Sequence, residues 1–371
     1  MKKKVLFILL LSVVLTLQAH VKNPDKPQKG EWDFKLKTVY EIEKAGEEVL
    51  ARPGGILIAG NGNLIVHDGQ RRINHLYDKD GRYIKSFAKR GEGPGEVKHQ
   101  VFFFSINNKI IIPDGLKVHY FSAAGDLIES KNKKTMLAPD LFLNRDEFIF
   151  STKSIHDAVN GKGVIKSYHL PGAKEKMLVE FDIFKGGTGK SDGVVFDMIV
   201  MGLTPLMTVC SGNNRLYYGI SDNYHIDIID LQGKKTGSFS VDRKPVPVST
   251  TRKREHFKNS RLPQDGLNQI IKSLPGKLTY FQGIETHKGL VYVFVAGLGK
   301  SRDKQEIDIF SAEGKYMYRS CLRFGEGFSL MFSPFGNLRI NGDFLYVVLE
   351  SDAGDVLVRK YSISLPPGKS G

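Results

Sequence analysis

The chain has 371 residues, 41% hydrophobic and 25% charged, which excludes a disordered segment and leaves room for one large all-β domain or two ordinary ones. Two cysteines, Cys210 and Cys321, exclude a disulfide framework and a cysteine-built zinc site, while one bridge or two separate thiols both stay open. The formal net charge of +14 admits acidic glycans, anionic lipid or nucleic acid as partners, or simply a soluble basic surface.

Residues 1–19 read as an export signal. Lys2, Lys3 and Lys4 form a basic start, Val5 to Leu17 an apolar core broken only by Ser12 and Thr16, and Ala19 a small residue for cleavage. A membrane anchor needs ~20 apolar residues, so this core is short for one, and no later run is long enough to span. No cysteine lies nearby to carry a lipid. Removal of the signal takes away three lysines and leaves +11. Export to the periplasm, the cell surface or the medium weighs against nucleic acid as a partner. Residues 20–33 are expected to be a linker.

FKLKTVYEIE, residues 34–43, alternates as a strand but has no partner beside it. Beyond it one pattern returns five times: an aromatic residue or isoleucine, three residues, then glycine. It runs Tyr77 to Gly81, Phe121 to Gly125, Tyr168 to Gly172, Ile229 to Gly233 and Phe310 to Gly314. Each copy reads as a β-hairpin turn. A further strand precedes each hairpin, at 63–68, 109–114, 147–152, 215–220 and 290–295, with an earlier run before that, such as 54–59 or 100–106. A sixth unit, 344–349 and 355–363, is one strand short. The early strand at 34–43 supplies it if it pairs beside 355–363. The expected fold is therefore all-β: a six-bladed β-propeller over residues 34–365, four antiparallel strands per blade, closed by the N-terminal strand and followed by a tail, 366–371.

AKRGEGPGEV, residues 88–97, sits between units one and two. A dinucleotide loop needs a third glycine where Glu96 stands, Pro94 breaks the spacing, and Glu92 and Glu96 repel phosphate. Gly91, Gly93, Pro94 and Gly95 are therefore expected to form a blade junction, echoed by RFGEGFSL at 323–330. SFAKRGEGPGEV resembles the junction of NHL-repeat propellers, F-x-x-x-G-x-G-P-G-E/Q-F. As a whole the chain resembles a bacterial group of exported six-bladed propellers whose biochemical role is mostly unassigned. That resemblance implies a propeller fold; it also brings in zinc-dependent lyases and calcium-dependent lactonases as fold relatives, with no catalytic residue carried over.

The long loops join second to third strands or link one blade to the next, which places them on one face: 153–163, 182–204, 242–278, 297–304 and 350–355. The longest, 242–278, carries nine Lys or Arg against three acids, with Arg252, Lys253, Arg254, Lys258 and Arg261 its densest part. Leu267, Ile270, Ile271 and Leu274 fall at helical spacing. Two readings compete: a basic helical lid that holds an anionic ligand or partner, and a solvated helix packed on the rim. Metal candidates are Asp68, Asp114, His67 and His156. The carboxylates suit calcium or the anchoring of a turn. His75 and His119, with Lys166, Asp227 and Asp308 in later units, occupy one repeated position read as outward-facing and polar. No triad, nucleophile elbow or carboxylate pair is visible. The sequence weighs against an enzyme and favours a monomeric binding module that presents its loop-rich face to a protein, peptide or glycan. The alternative is a lyase or hydrolase using calcium or zinc at the channel mouth; no other cofactor is expected.

Overall fold

The glycine of each repeated hairpin takes a left-handed conformation, φ +76° to +105°, which side chains with a β-carbon resist. Steric crowding adds a second reason. A β-carbon on Gly81 would lie 2.9 Å from Tyr40, on Gly125 3.0 Å from Phe87, on Gly233 3.1 Å from Leu178 and on Gly314 2.5 Å from Phe239. In each case the contact is the outer strand of the preceding blade. The turn is thus a point of contact between blades as well as a reversal of the chain.

The computed structural model describes residues 19–368 except 101, 137, 153–161, 183–186, 192–193, 199, 201, 259, 261, 298–302 and 332–335. Six blades follow in order. Blade one is Pro53–Ile58, Leu64–Asp68, Ile73–Tyr77 and Tyr83–Phe87. Blade four is Met207–Gly212, Arg215–Ile220, His225–Asp230 and Lys235–Asp242. Blade six closes as expected: Lys37–Ile42 pairs antiparallel with Val356–Ser362, from Lys37 opposite Ser362 to Ile42 opposite Val358. The Arg359 guanidinium donates to Glu41 at 2.7 Å across that seam, and the Lys360 ammonium lies 5.1 Å from the Tyr40 ring.

Apolar residues fill the wedge between each pair of neighbouring blades. The seam between blades five and six is deep, with Phe34, Tyr292, Ile309 and Val347 among its buried members. That between blades three and four has the fewest fully buried members among the described residues, Ile149, Ile165, Met207, Leu216 and Ile229, and many half-buried ones, Val179, Phe181 and Tyr218 among them.

The stretch expected to be a linker is packed. Ala19–Pro24 lies parallel on the outer strand of blade four, from Ala19 opposite Gly237 to Pro24 opposite Asp242. The chain then follows blade five, where the Gln28 and Lys29 amides donate to the Tyr316 and Met317 carbonyls at 2.9 Å, and reaches Phe34 in the next seam. Asn23 ties the two blades: its amide donates to the Ser240 carbonyl at 3.1 Å and the Gly314 carbonyl at 2.9 Å, and its oxygen accepts from the Tyr316 amide at 3.0 Å.

The repeated polar position on the third strand is not outward-facing, which corrects that reading. His75, His119 and Asp308 are buried. Each turns to the fourth strand of its own blade: His75 bonds Ser86 and His119 bonds Ser130, both at 2.8 Å, and Asp308 meets Arg319 at 3.3 Å. Cys210 and Cys321 are free thiols.

Candidate functional site

The junction glycines fold around one carboxylate. Glu96 accepts from the Gly93 amide at 2.9 Å, and a β-carbon on Gly91 would collide with it. Gly95 takes φ +77°. Asp114 then fastens the incoming chain of blade two, accepting from the Lys98 amide at 2.9 Å and the His99 amide at 2.8 Å. Asp68 does the same for blade one, accepting from the amides of Ala51, Gln70 and Arg71, each at 3.0 Å, and from the Arg71 guanidinium at 3.1 Å. Both carboxylates are spent on turns. His67 is buried against Asn74, 3.3 Å away, and burial lowers its pKa, while His156 lies outside the described residues.

The insertion forms two helices, α1 (Thr250–His256) and α2 (Gln264–Ser273). Ser249 caps the first, accepting from the Arg252 amide at 3.2 Å. Leu267, Ile270, Ile271 and Leu274 are buried with Val200 and Leu203 from the link between blades three and four. Lys253 is not presented to a ligand: it is buried, and its ammonium donates to the Leu274 carbonyl at 2.6 Å, satisfying the C-terminal end of α2. Arg252, Arg254 and Lys258 are exposed, and Arg261 lies outside the described residues. The insertion returns to the blades through Tyr280, whose amide donates to the Ser221 carbonyl at 2.8 Å.

There the loop-rich face opens into a cleft of about 910 Å³. One wall is the end of blade three's outer strand, Val179 to Asp182; the other is blade four, from Tyr218 through Asp222, Tyr224, His225 and Asp227, with Tyr280 alongside. It lies over the seam between blades three and four, where Val179, Phe181 and Tyr218 are only half-buried. Arg252, Lys253, Arg254 and Lys258 do not line it.

Two aspartates in this cleft differ in electrostatic surroundings. Burial raises the pKa of Asp222, an effect the Lys277 ammonium only partly offsets. Burial also pushes Asp227 up, but hydrogen bonds from His225 at 3.1 Å and Lys235 at 2.6 Å prevail and hold it below the ordinary range. Tyr224 is buried, donates its hydroxyl to Asp308 at 2.5 Å and carries the Arg243 guanidinium 5.0 Å from its ring. Lys277 lies 5.7 Å from the Tyr280 ring. His225 stacks on His20 of the N-terminal segment at 5.3 Å, and burial followed by repulsion from His225 lowers the pKa of His20.

No linear motif announces this site, because its walls come from five separate stretches: 179–182, Met207, 218–227, 240–241 and Tyr280. The one local signal is SDNYHID, residues 221–227, where two acids, a tyrosine and a histidine fall together across the loop after the second strand and the start of the third.

A family model described as a six-bladed β-propeller matches residues 45–183. Solved structures share the fold over nearly the whole chain. One is a protein from Bacteroides fragilis, 12% identical, covering 94% of this chain and 100% of that one with a TM-score of 0.55. Another, from Bacteroides vulgatus, belongs to a family of unassigned function and is 9% identical, covering 90% and 98% with a TM-score of 0.55. The chain is thus a six-bladed propeller of the kind found in bacterial proteins of largely unassigned function, and neither structure is described as an NHL-repeat protein. No curated protein matches the sequence.

A gluconolactonase from Xanthomonas campestris is also similar, at 10% identity over 90% of each chain with a TM-score of 0.45. It corrects the expectation that weighed against an enzyme.

Among the described residues no group of three or more His, Cys, Asp or Glu side chains is arranged to hold a metal ion. Asp68, Asp114 and His67 are already committed to other partners, so the described residues do not fit a calcium or zinc centre and no step is drawn through one. No helix among them is long and apolar enough to cross a membrane.

Proposed function

We propose that this is an exported propeller that binds a polar ligand in the cleft between blades three and four and performs acid–base chemistry on it, hydrolysis or elimination. Burial makes Asp222 the carboxyl that holds its proton more tightly, and the hydrogen bonds from His225 and Lys235 make Asp227 the one that gives it up more readily. One observation carries the reading: a single cleft on the loop-rich face contains two carboxyl groups whose surroundings push their proton affinities in opposite directions. Environments that push two carboxyl groups apart in this way are how one site divides the roles of acid and base. Tyr218 and Tyr280 offer half-buried rings for a ligand to rest on. Export is supported by the basic-then-apolar leader, and an NHL-like blade junction by SFAKRGEGPGEV.

The test is turnover of mixed oligosaccharides and peptides by the secreted protein and two folded variants. Asp222→Asn and Asp227→Asn should each lower turnover about 10²- to 10⁴-fold. Turnover equal to wild type in both would refute the assignment.

A further inference from the structure

We infer that His20 is a positioning residue of the cleft: the N-terminal strand lays its imidazole against His225 and so holds His225 on Asp227, an inference that rests on the cleft reading above. The strand register brings these groups together. Ala19–Pro24 and His225–Asp230 flank the outer strand of blade four, Lys235–Asp242, on opposite sides. His20 lies opposite Ser238 on one side; on the other, Asp227 lies opposite Ser238 and His225 opposite Ser240. Residues two apart on a strand share a face, so the two serines stand between the three side chains. Their short side chains leave room for the imidazoles to meet across the strand, 5.3 Å apart with 19° between the ring planes.

Both nitrogens of His20 are held, Nδ1 2.9 Å from the Ser238 hydroxyl and Nε2 3.0 Å from that of Ser240. A ring fixed at both ends is a firm surface for its neighbour. His225 needs one: its side chain is 42% exposed, and its Nε2 reaches Asp227 at 3.1 Å. His20 acts here by packing and not by charge. Burial first, then repulsion from His225, Lys22 and Lys235, lowers its pKa against the pull of Asp227, which keeps the ring neutral at pH 7. Lys235, at 2.6 Å, and Tyr218 also bond Asp227, so loss of His20 weakens the hold on that carboxylate without abolishing it. The strand is anchored further along by Asn23 and Asp25, so a change at His20 leaves it docked.

Carbon-13 titration of the Asp227 carboxyl tests this in the mature chain, its retention of His20 checked by mass spectrometry. His20→Ala should raise the Asp227 titration point by about 0.5–1 pH unit, because a loosened His225 favours the ionised carboxylate less. His20→Phe, which restores a ring against His225 without charge, should bring it at least halfway back. Amide exchange across residues 21–24 should match wild type in both variants. An Asp227 titration unchanged in His20→Ala, or raised equally in both variants, overturns the inference and leaves the cleft reading intact. Loss of amide protection at 21–24 overturns it too, since His20 would then anchor the strand instead of the His225 ring. An Asp227 that titrates at or above about 3.9 in the wild type overturns the cleft reading itself, and this inference with it.

Discussion

Asp308→Ala is expected to lower the unfolding free energy by about 3–5 kcal/mol, because it strands two guanidinium groups around a buried centre. Asp308 has no exposed surface. It accepts from the hydroxyls of Tyr224 and Tyr316, and it pairs with Arg243 at 2.8 Å and Arg319 at 3.3 Å. Both arginines also reach Asp25, just beyond the N-terminal strand, at 2.7 and 2.5 Å. One carboxylate therefore joins blade four, blade five and the segment that wraps them, and it holds Tyr224 as a wall of the cleft. Chemical denaturation measures the effect. A loss under 1 kcal/mol would mean that Asp25 alone satisfies both arginines.

Deleting residues 34–43 is expected to have a still larger effect, loss of the cooperative folding transition. The deletion removes the strand that pairs with Val356–Ser362 and takes Phe34 and Ile42 from two different seams. Each of those side chains stabilises by about 1.5–3 kcal/mol through burial, before the lost ladder is counted. Net stabilities of proteins are about 5–15 kcal/mol, so the sum approaches the whole. An open ring also exposes a strand edge to aggregation. Calorimetry showing one sharp transition near the wild-type temperature would mean that the ring closes by other means.

The elements that recur were the ones legible in the sequence. Tyr77 to Gly81 and its four echoes mark hairpins because a glycine is required by its backbone angle in all five and, except at Gly172, by the blade behind it as well. The closing strand was legible as a surplus, an alternating run with no neighbour to pair with. HVKNPDKPQKG was not: it joins blades four and five largely through backbone amides and the side chains of Asn23 and Asp25, which leave no apolar alternation. Lys253 looked like a ligand contact because a basic run does not show which of its members turns inward to cap a neighbouring helix. The cleft was hidden for a topological reason. Glu180, Asp222, Asp227 and Tyr280 meet only once the blades are assembled, above a seam whose apolar members are largely half-buried.

The functional account depends on Asp222 and Asp227 holding protons with different affinity in one cleft. Carbon-13 NMR titration of the aspartate carboxyls, assigned by comparison with Asp222→Asn and Asp227→Asn, measures this directly. Asp222 should titrate above the ordinary aspartate value of about 3.9 and Asp227 below it. Two carboxyls titrating together, or in the reverse order, would contradict the assignment of acid and base.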